Sequence, residues 1–175
     1  MTMDYDRIYH QFAMVHEIHW VSPNQTHLTL VFLGDRTEDE LTSLDPILHH
    51  TAKGWCPYVI TPSKIDGFPT LYHPRIIWLC IQQGYQKTCM LQSQISTGIN
   101  ELGLANHDLA RSFIPHVTLG RLRSPVKIDP NRVKNIKEMK WMGSQVVHSI
   151  TLFSSDLTPS GPVYNVLREF DFKNI

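Results

Sequence analysis

HLTLVFLG, residues 27–34, and HVTLGRLR, residues 116–123, open alike: an imidazole, an apolar residue, a threonine and a leucine. On an extended strand residues i and i+2 share a face. His27 would then point with Thr29, and His116 with Thr118, while Leu28, Leu30, Val117 and Leu119 point the other way. A single HxT is expected by chance about 0.7 times in a chain of this composition, but two copies that each continue into Leu are expected roughly a few times in a thousand. The copies stand 89 positions apart, counting from 27 to 116. No short fixed repeat is visible, so they read as a loose duplication.

Working outward, apolar residues at Ile8, Phe12 and Val15 recur at helical spacing and predict a first helix from Asp4 to about His19, followed by a turn at VSPN. THLTLVFLG reads as a strand. The stretch from Asp35 to Gly54 reads as a helix, with Thr37 as N-cap, acids in the first turn and a closing glycine. PYVITPSKIDGFP and PRIIWLCIQ read as two strands around a turn with Gly67 and Pro69. A helix closed by Gly103 comes next, then the strand FIPHVTLGRLR, a short helix in DPNRVKNIKEMK, and two final strands, SQVVHSITLFSS and PVYNVLREFDF. Strands and helices do not alternate strictly, which favours an antiparallel α+β fold over a parallel α/β one. With 175 residues, residues 1–175 are expected to form a single domain.

Hydrophobic residues make up 42% and charged residues 18%, a balance that suits a folded globule rather than a disordered chain. Lys plus Arg equals Asp plus Glu at 16 each, so no overall basic field draws in long nucleic acid, while a short substrate with one phosphate remains open. No apolar run approaches the roughly 20 residues of a membrane span, and no signal-peptide core is present. A cytoplasmic protein is expected. Cys56, Cys80 and Cys89 lack CxxC spacing and read as free thiols.

If the two imidazole segments face each other across a groove, they suit phosphoryl transfer. Opening a cyclic phosphodiester needs a base for the attacking water and an acid for the departing ribose oxygen. Histidine fills either role near neutral pH without a metal. Thr29 and Thr118 would donate to the non-bridging oxygens, and Arg121 would add a cation with a planar fork. Arg121 has the wrong strand parity for this, and reaches the site only if the strand ends or bulges near Gly120. The pairs His16/His19 and His49/His50 invite a metal reading, but adjacent helical residues diverge and no acidic third ligand stands near, so surface roles are expected. Trp20, Trp55, Trp78 and Trp141 read as core or rim anchors rather than base platforms.

The stretches HWVSPNQTHLTLVFLGD, IDGFPTLYHPRIIWL, RSFIPHVTLGRLR and SSDLTPSGPVYNVLREF together resemble the two-histidine phosphoesterase superfamily, and within it the RNA 2',3'-cyclic phosphodiesterases, also called the 2'-5' RNA ligase family. The resemblance implies two pseudo-symmetric lobes of antiparallel sheet with outer helices and an active-site groove between them. It implies His27 as acid for the 3' oxygen and His116 as the group that activates water, with Thr29, Thr118 and Arg121 holding phosphate and a 2'-phosphate end as product. RNA ends or small cyclic nucleotides would be the partners, with no cofactor and no metal. Family members usually open with a strand of the type RLFIAI whose aromatic lies near the base. Here the chain starts at the predicted helix: either the natural start lies upstream, or the lobe has a bare sheet edge, with a monomer open to self-association through it expected. Tyr5, Tyr9 or Phe12 would be the substitute ring, against the plainer reading of aromatics at helical spacing as core. Two rival readings use the same residues: a phosphodiesterase or ligase acting on other 2'-5' or cyclic diesters, and a non-catalytic RNA-end binder.

Overall fold

The computed structural model describes residues 5–12, 15, 18–104, 112–139, 143–158 and 161–173. Two compact units divide the chain. The first is Met1–Leu28, Ile60–Gln83 and His116–Gln145; the second is Thr29–Val59, Gly84–Pro115 and Val146–Ile175. The architecture is mixed α+β with antiparallel strands, as the order of elements predicted. Among the described residues no helix is long and apolar enough to cross a membrane.

The first unit is built on a four-stranded sheet in the order β1-β5-β4-β3, from Ile18–Trp20 (β1), Pro62–Phe68 (β3), Ile76–Ile81 (β4) and His116–Leu122 (β5). All three pairings are antiparallel. Strand β4 alternates in burial, Ile77, Leu79 and Ile81 being buried and Ile76, Trp78 and Cys80 half-buried, so one face of the sheet is core. Helix α4 (Pro130–Glu138) turns Val133 and Ile136 into that core and starts at Asp129, whose carboxylate accepts from the amides of Asn131 and Arg132. Helix α1 (Tyr5–Gln11) buries Ile8, and Phe12 just beyond it is 2% exposed.

In the second unit, helix α2 (Glu38–Lys53) buries Leu44, Leu48 and Ala52 at i, i+4, i+8, the stripe that an amphipathic helix needs. Thr37 caps it in a full capping box with Glu40, as expected, and Gly54 closes it. Helix α3 (Tyr85–Glu101) crosses α2 at Gly98, where an added Cβ would stand 2.5 Å from Ile47 Cγ2. The long hairpin β7 (Ser149–Thr158) and β8 (Gly161–Asp171) packs on α2. Arg168 of β8 binds Asp45 at 3.1 Å, Glu38 at 2.8 Å and the Leu41 carbonyl at 3.2 Å, all on that helix. Trp55 donates to Gln94 and, with Tyr58 and Phe172, forms an aromatic cluster.

Three boundaries differ from the sequence reading. The first helix stops at Gln11 rather than near His19, and Ile18–Trp20 is a strand paired with β5; alternation across Ile18, His19 and Trp20 overrides the helical period to their left. PYVITPSKIDGFP is two strands, interrupted at Thr61 just before Pro62, which cannot donate to a ladder. Its first part, β2 (Tyr58–Ile60), pairs with β6 (Gln145–Val147), and β6 is itself separated from β7 at His148. THLTLVFLG lies outside the assigned strands. Its alternating pattern specifies an extended chain, but a strand also needs a neighbour to complete the ladder.

Candidate functional site

Antiparallel partners point to the same face of a sheet, so the register maps the non-core face of the first unit residue by residue. His116 stands opposite Cys80, and Thr118 opposite Trp78, which is opposite Asp66 on β3. At the next rung the pairing jumps: Ile77 pairs with Gly120 and Trp78 with Thr118, leaving Leu119 as an extra residue in β5. This bulge meets the condition set by parity. It puts Leu119 and Gly120 consecutively into the core and turns Arg121 out, opposite Ile76, to the same face as His116 and Thr118. On β1, His19 pairs with Arg121 and joins that face.

Glycine is required at the bulge. A Cβ on Gly120 would stand 2.7 Å from Ile18 Cγ2 and 3.1 Å from Trp20 Cε3. Trp20 is fixed there by Tyr9 and Phe12, whose ring centroids lie 4.7 Å and 5.6 Å away. Phe12, 2% exposed, is core and is not the substitute base ring, while the half-buried Tyr9 packs on Trp20; the Tyr5 side chain lies outside the described residues.

His116 is half-buried, and the Trp78 ring packs against it with centroids 4.6 Å apart and planes at 44°. The indole N–H of Trp78 is buried with no acceptor among the described residues. Cys80, across from His116, has its thiol pushed up by burial and by the charge of Asp66. It is a poor thiolate, which argues against a nucleophilic role.

His27 belongs to the same unit as His116 but stands on an irregular segment rather than a strand. The backbone leading to it is tightly held. Val21 N–H donates to Leu119 O at 2.8 Å, continuing the β1–β5 pairing, and a short 3-10 turn at Pro23–Gln25 follows. His27 Nδ1 then lies 2.8 Å from the Gln25 carbonyl oxygen. A carbonyl only accepts, so Nδ1 carries the proton in the neutral ring and Nε2 is its basic nitrogen. Thr29, half-buried, falls in the second unit, just past the boundary after Leu28.

His49 and His50 are exposed on α2; His16 and Trp141 lie outside the described residues. A cluster the sequence reading did not weigh is His148, Glu169 and Asp171, exposed in the second unit with ligand atoms within 4.8 Å of one another. Ser149 Oγ donates to Glu169. Its only sequence signal was the i, i+2 spacing of the two acids on one strand. The face of His116 held a subtler surprise: Trp78, read as an anchor, is an anchor for the imidazole itself.

Residues 9–156 match the family described as the 2'-5' RNA ligase superfamily, and the chain belongs to it. A protein of Aquifex aeolicus named RNA 2',3'-cyclic phosphodiesterase is 31% identical over 151 residues, 86% of this chain and 80% of that one. One of the same name from Thermotoga maritima is 32% identical over 156 residues, 88% and 79% of the two chains. A crystal structure of a Thermus thermophilus protein superposes with a TM-score of 0.81 at 26% identity, covering 95% of this chain and 88% of that one.

Proposed function

We propose that this protein is an RNA 2',3'-cyclic phosphodiesterase that opens cyclic phosphate ends to 2'-phosphates by two-histidine acid-base chemistry, without a metal. The observation that carries the reading is the β5 bulge: it gives His116, Thr118 and Arg121 a common face, where an imidazole, a hydroxyl and a guanidinium can meet one phosphate. The names of the relatives supply the substrate class.

In the reaction, His116 takes a proton from water as its oxygen bonds to phosphorus. The bond from phosphorus to O3' breaks, and His27 gives that oxygen a proton from Nε2. The Gln25 carbonyl holds Nδ1–H of His27 throughout, so the ring keeps one orientation whether neutral or charged. Thr29, Thr118 and Arg121 bind the non-bridging oxygens, the guanidinium offsetting charge that builds on the phosphoryl group. In this reading His27 is the second imidazole of the reaction and the Thr29 hydroxyl a second donor to phosphate. Residues 1–175 act as one functional domain and as a monomer, on short RNA ends or cyclic nucleotides. The three unpaired cysteines suit a cytoplasmic setting.

The test is hydrolysis of a nucleoside 2',3'-cyclic phosphate in the presence of chelator. Wild type should turn over, and His27→Ala and His116→Ala should each lose about 10²- to 10⁴-fold in kcat with unchanged thermal unfolding. A variant with the wild-type rate overturns that residue's role, and loss of wild-type activity in chelator overturns the metal-free mechanism. Phosphorus NMR of the product distinguishes a 2'-phosphate from a 3'-phosphate.

A further inference from the structure

The face that carries His116 also carries an aromatic residue that the acid-base chemistry leaves unused. Phe68, the last residue of β3, pairs with Ile76, which in turn pairs with Arg121, so all three project to the face of His116. It is 54% exposed, an unusual degree for a phenylalanine. Its ring centroid lies 6.3 Å from that of Trp78, at 32°, and Trp78 continues to His116 at 4.6 Å. The three rings form a path from the imidazole to the outer edge of the sheet.

Phe68 is also held firmly by its backbone. Its carbonyl accepts from Arg75 N–H at 2.7 Å, and the preceding Gly67 donates to Asp66 Oδ1 at 2.9 Å. Gly67 itself is wedged where an added Cβ would meet Pro74 Cβ at 3.0 Å and Leu71 Cα at 3.1 Å. An exposed ring on an anchored backbone, packed beside Trp78, offers a flat ligand a surface already in place. Arg121, two strands away and so about 10 Å distant, marks the phosphate end of the same surface.

We propose that Phe68, backed by Trp78, is the stacking platform for the nucleobase of the substrate, and that it sets a preference for nucleoside cyclic phosphates over base-free ones and for purines over pyrimidines. This rests on the reading of His116, Thr118 and Arg121 as the phosphate site. A base stands one ribose away from its 2',3'-phosphate, and Phe68 stands one indole away from His116. Stacking on an aromatic ring is tolerant of base identity but grows with the area of the base.

The experiment compares three substrates, adenosine 2',3'-cyclic phosphate, cytidine 2',3'-cyclic phosphate and methyl riboside 2',3'-cyclic phosphate, on wild type, Phe68→Leu, Phe68→Ala and Phe68→Trp. For adenosine, Phe68→Ala and Phe68→Leu should raise KM about tenfold or more with kcat little changed. The rise should be smaller for cytidine and absent for the methyl riboside, and Phe68→Trp should restore the adenosine KM. Leucine keeps the bulk without the π face, so it reads the platform even if the alanine variant folds poorly. The platform is overturned if Phe68→Leu keeps the wild-type adenosine KM, or if KM for the methyl riboside rises equally. If wild type opens none of the three, the acid-base reading fails instead. The platform is then judged by equilibrium dialysis of adenosine 2'-phosphate against ribose 2-phosphate: a Phe68 dependence confined to the adenosine ligand supports it, and no such dependence overturns it.

Discussion

Arg121 shows how much a single extra residue decides. Without the bulge it would lie with Val117 and Leu119 in the core; with it, the guanidinium stands on the face of His116 and Thr118. Lysine offers a point charge in place of a planar fork, so Arg121→Lys should lower kcat/KM for a cyclic nucleotide by about tenfold and Arg121→Ala by more, read from steady-state kinetics. Gly120→Ala tests the bulge from beneath. Its methyl would stand 2.7 Å from Ile18 Cγ2 and 3.1 Å from Trp20 Cε3, so that side chains of β1 would have to shift. A loss of about 1–3 kcal/mol is expected from the urea midpoint, with activity falling as Arg121 shifts. Retained stability would mean that the strand bulges without needing glycine.

At the scale of elements, α2 carries its own pH dependence. The Thr37 backbone N–H donates to the Glu40 carboxylate at 2.8 Å and holds its pKa below the ordinary value of 4.5. A carboxyl whose pKa is depressed on folding stabilises above its unfolded pKa, and that stability is lost as pH falls through the folded value. The difference in stability between wild type and Glu40→Gln should therefore be constant above about pH 5.5 and shrink below the unfolded value near 4.5. A gap that widens in acid would contradict the cap. Farther along, Arg168 joins β8 to α2 through two carboxylates and a carbonyl. Because it is partly solvated, Arg168→Met is expected to cost about 1 kcal/mol by chemical denaturation.

The elements also show what periodicity resolves. Helix α2 was legible to its cap because Thr37, Glu40 and the Leu44/Leu48 stripe act within a few residues of one another. The end of α1 was not. Ile8 and Phe12 fit a helix, but Ile18–Trp20 answers to β5, about a hundred residues away, and a window of neighbouring residues contains no information about that partner. The same reason removed THLTLVFLG from the strands. The two HxT segments are alike in sequence, yet of the two only His116 found a neighbouring strand on which to complete a ladder.

For the molecule as a whole, formal charge is balanced at 16 of each sign, so attraction to substrate depends on local groups such as Arg121. Raising salt from 50 to 200 mM should lower kcat/KM for a cyclic mononucleotide by no more than about threefold, the change expected when a single phosphate is neutralised. A drop of a hundredfold would reveal a basic surface the composition does not suggest. By itself, the sequence determined the chemistry available: two imidazoles, each two residues from a hydroxyl, an antiparallel α+β order of elements, and the one glycine at which Arg121 could change sides. Those follow from spacing and local propensity. Only tertiary structure decided that Leu119 is the residue squeezed out of the ladder, that Trp78 packs on His116 and that Phe68 is left exposed beside them. Each of these depends on the register between strands distant in sequence, which is set where side chains meet across the sheet.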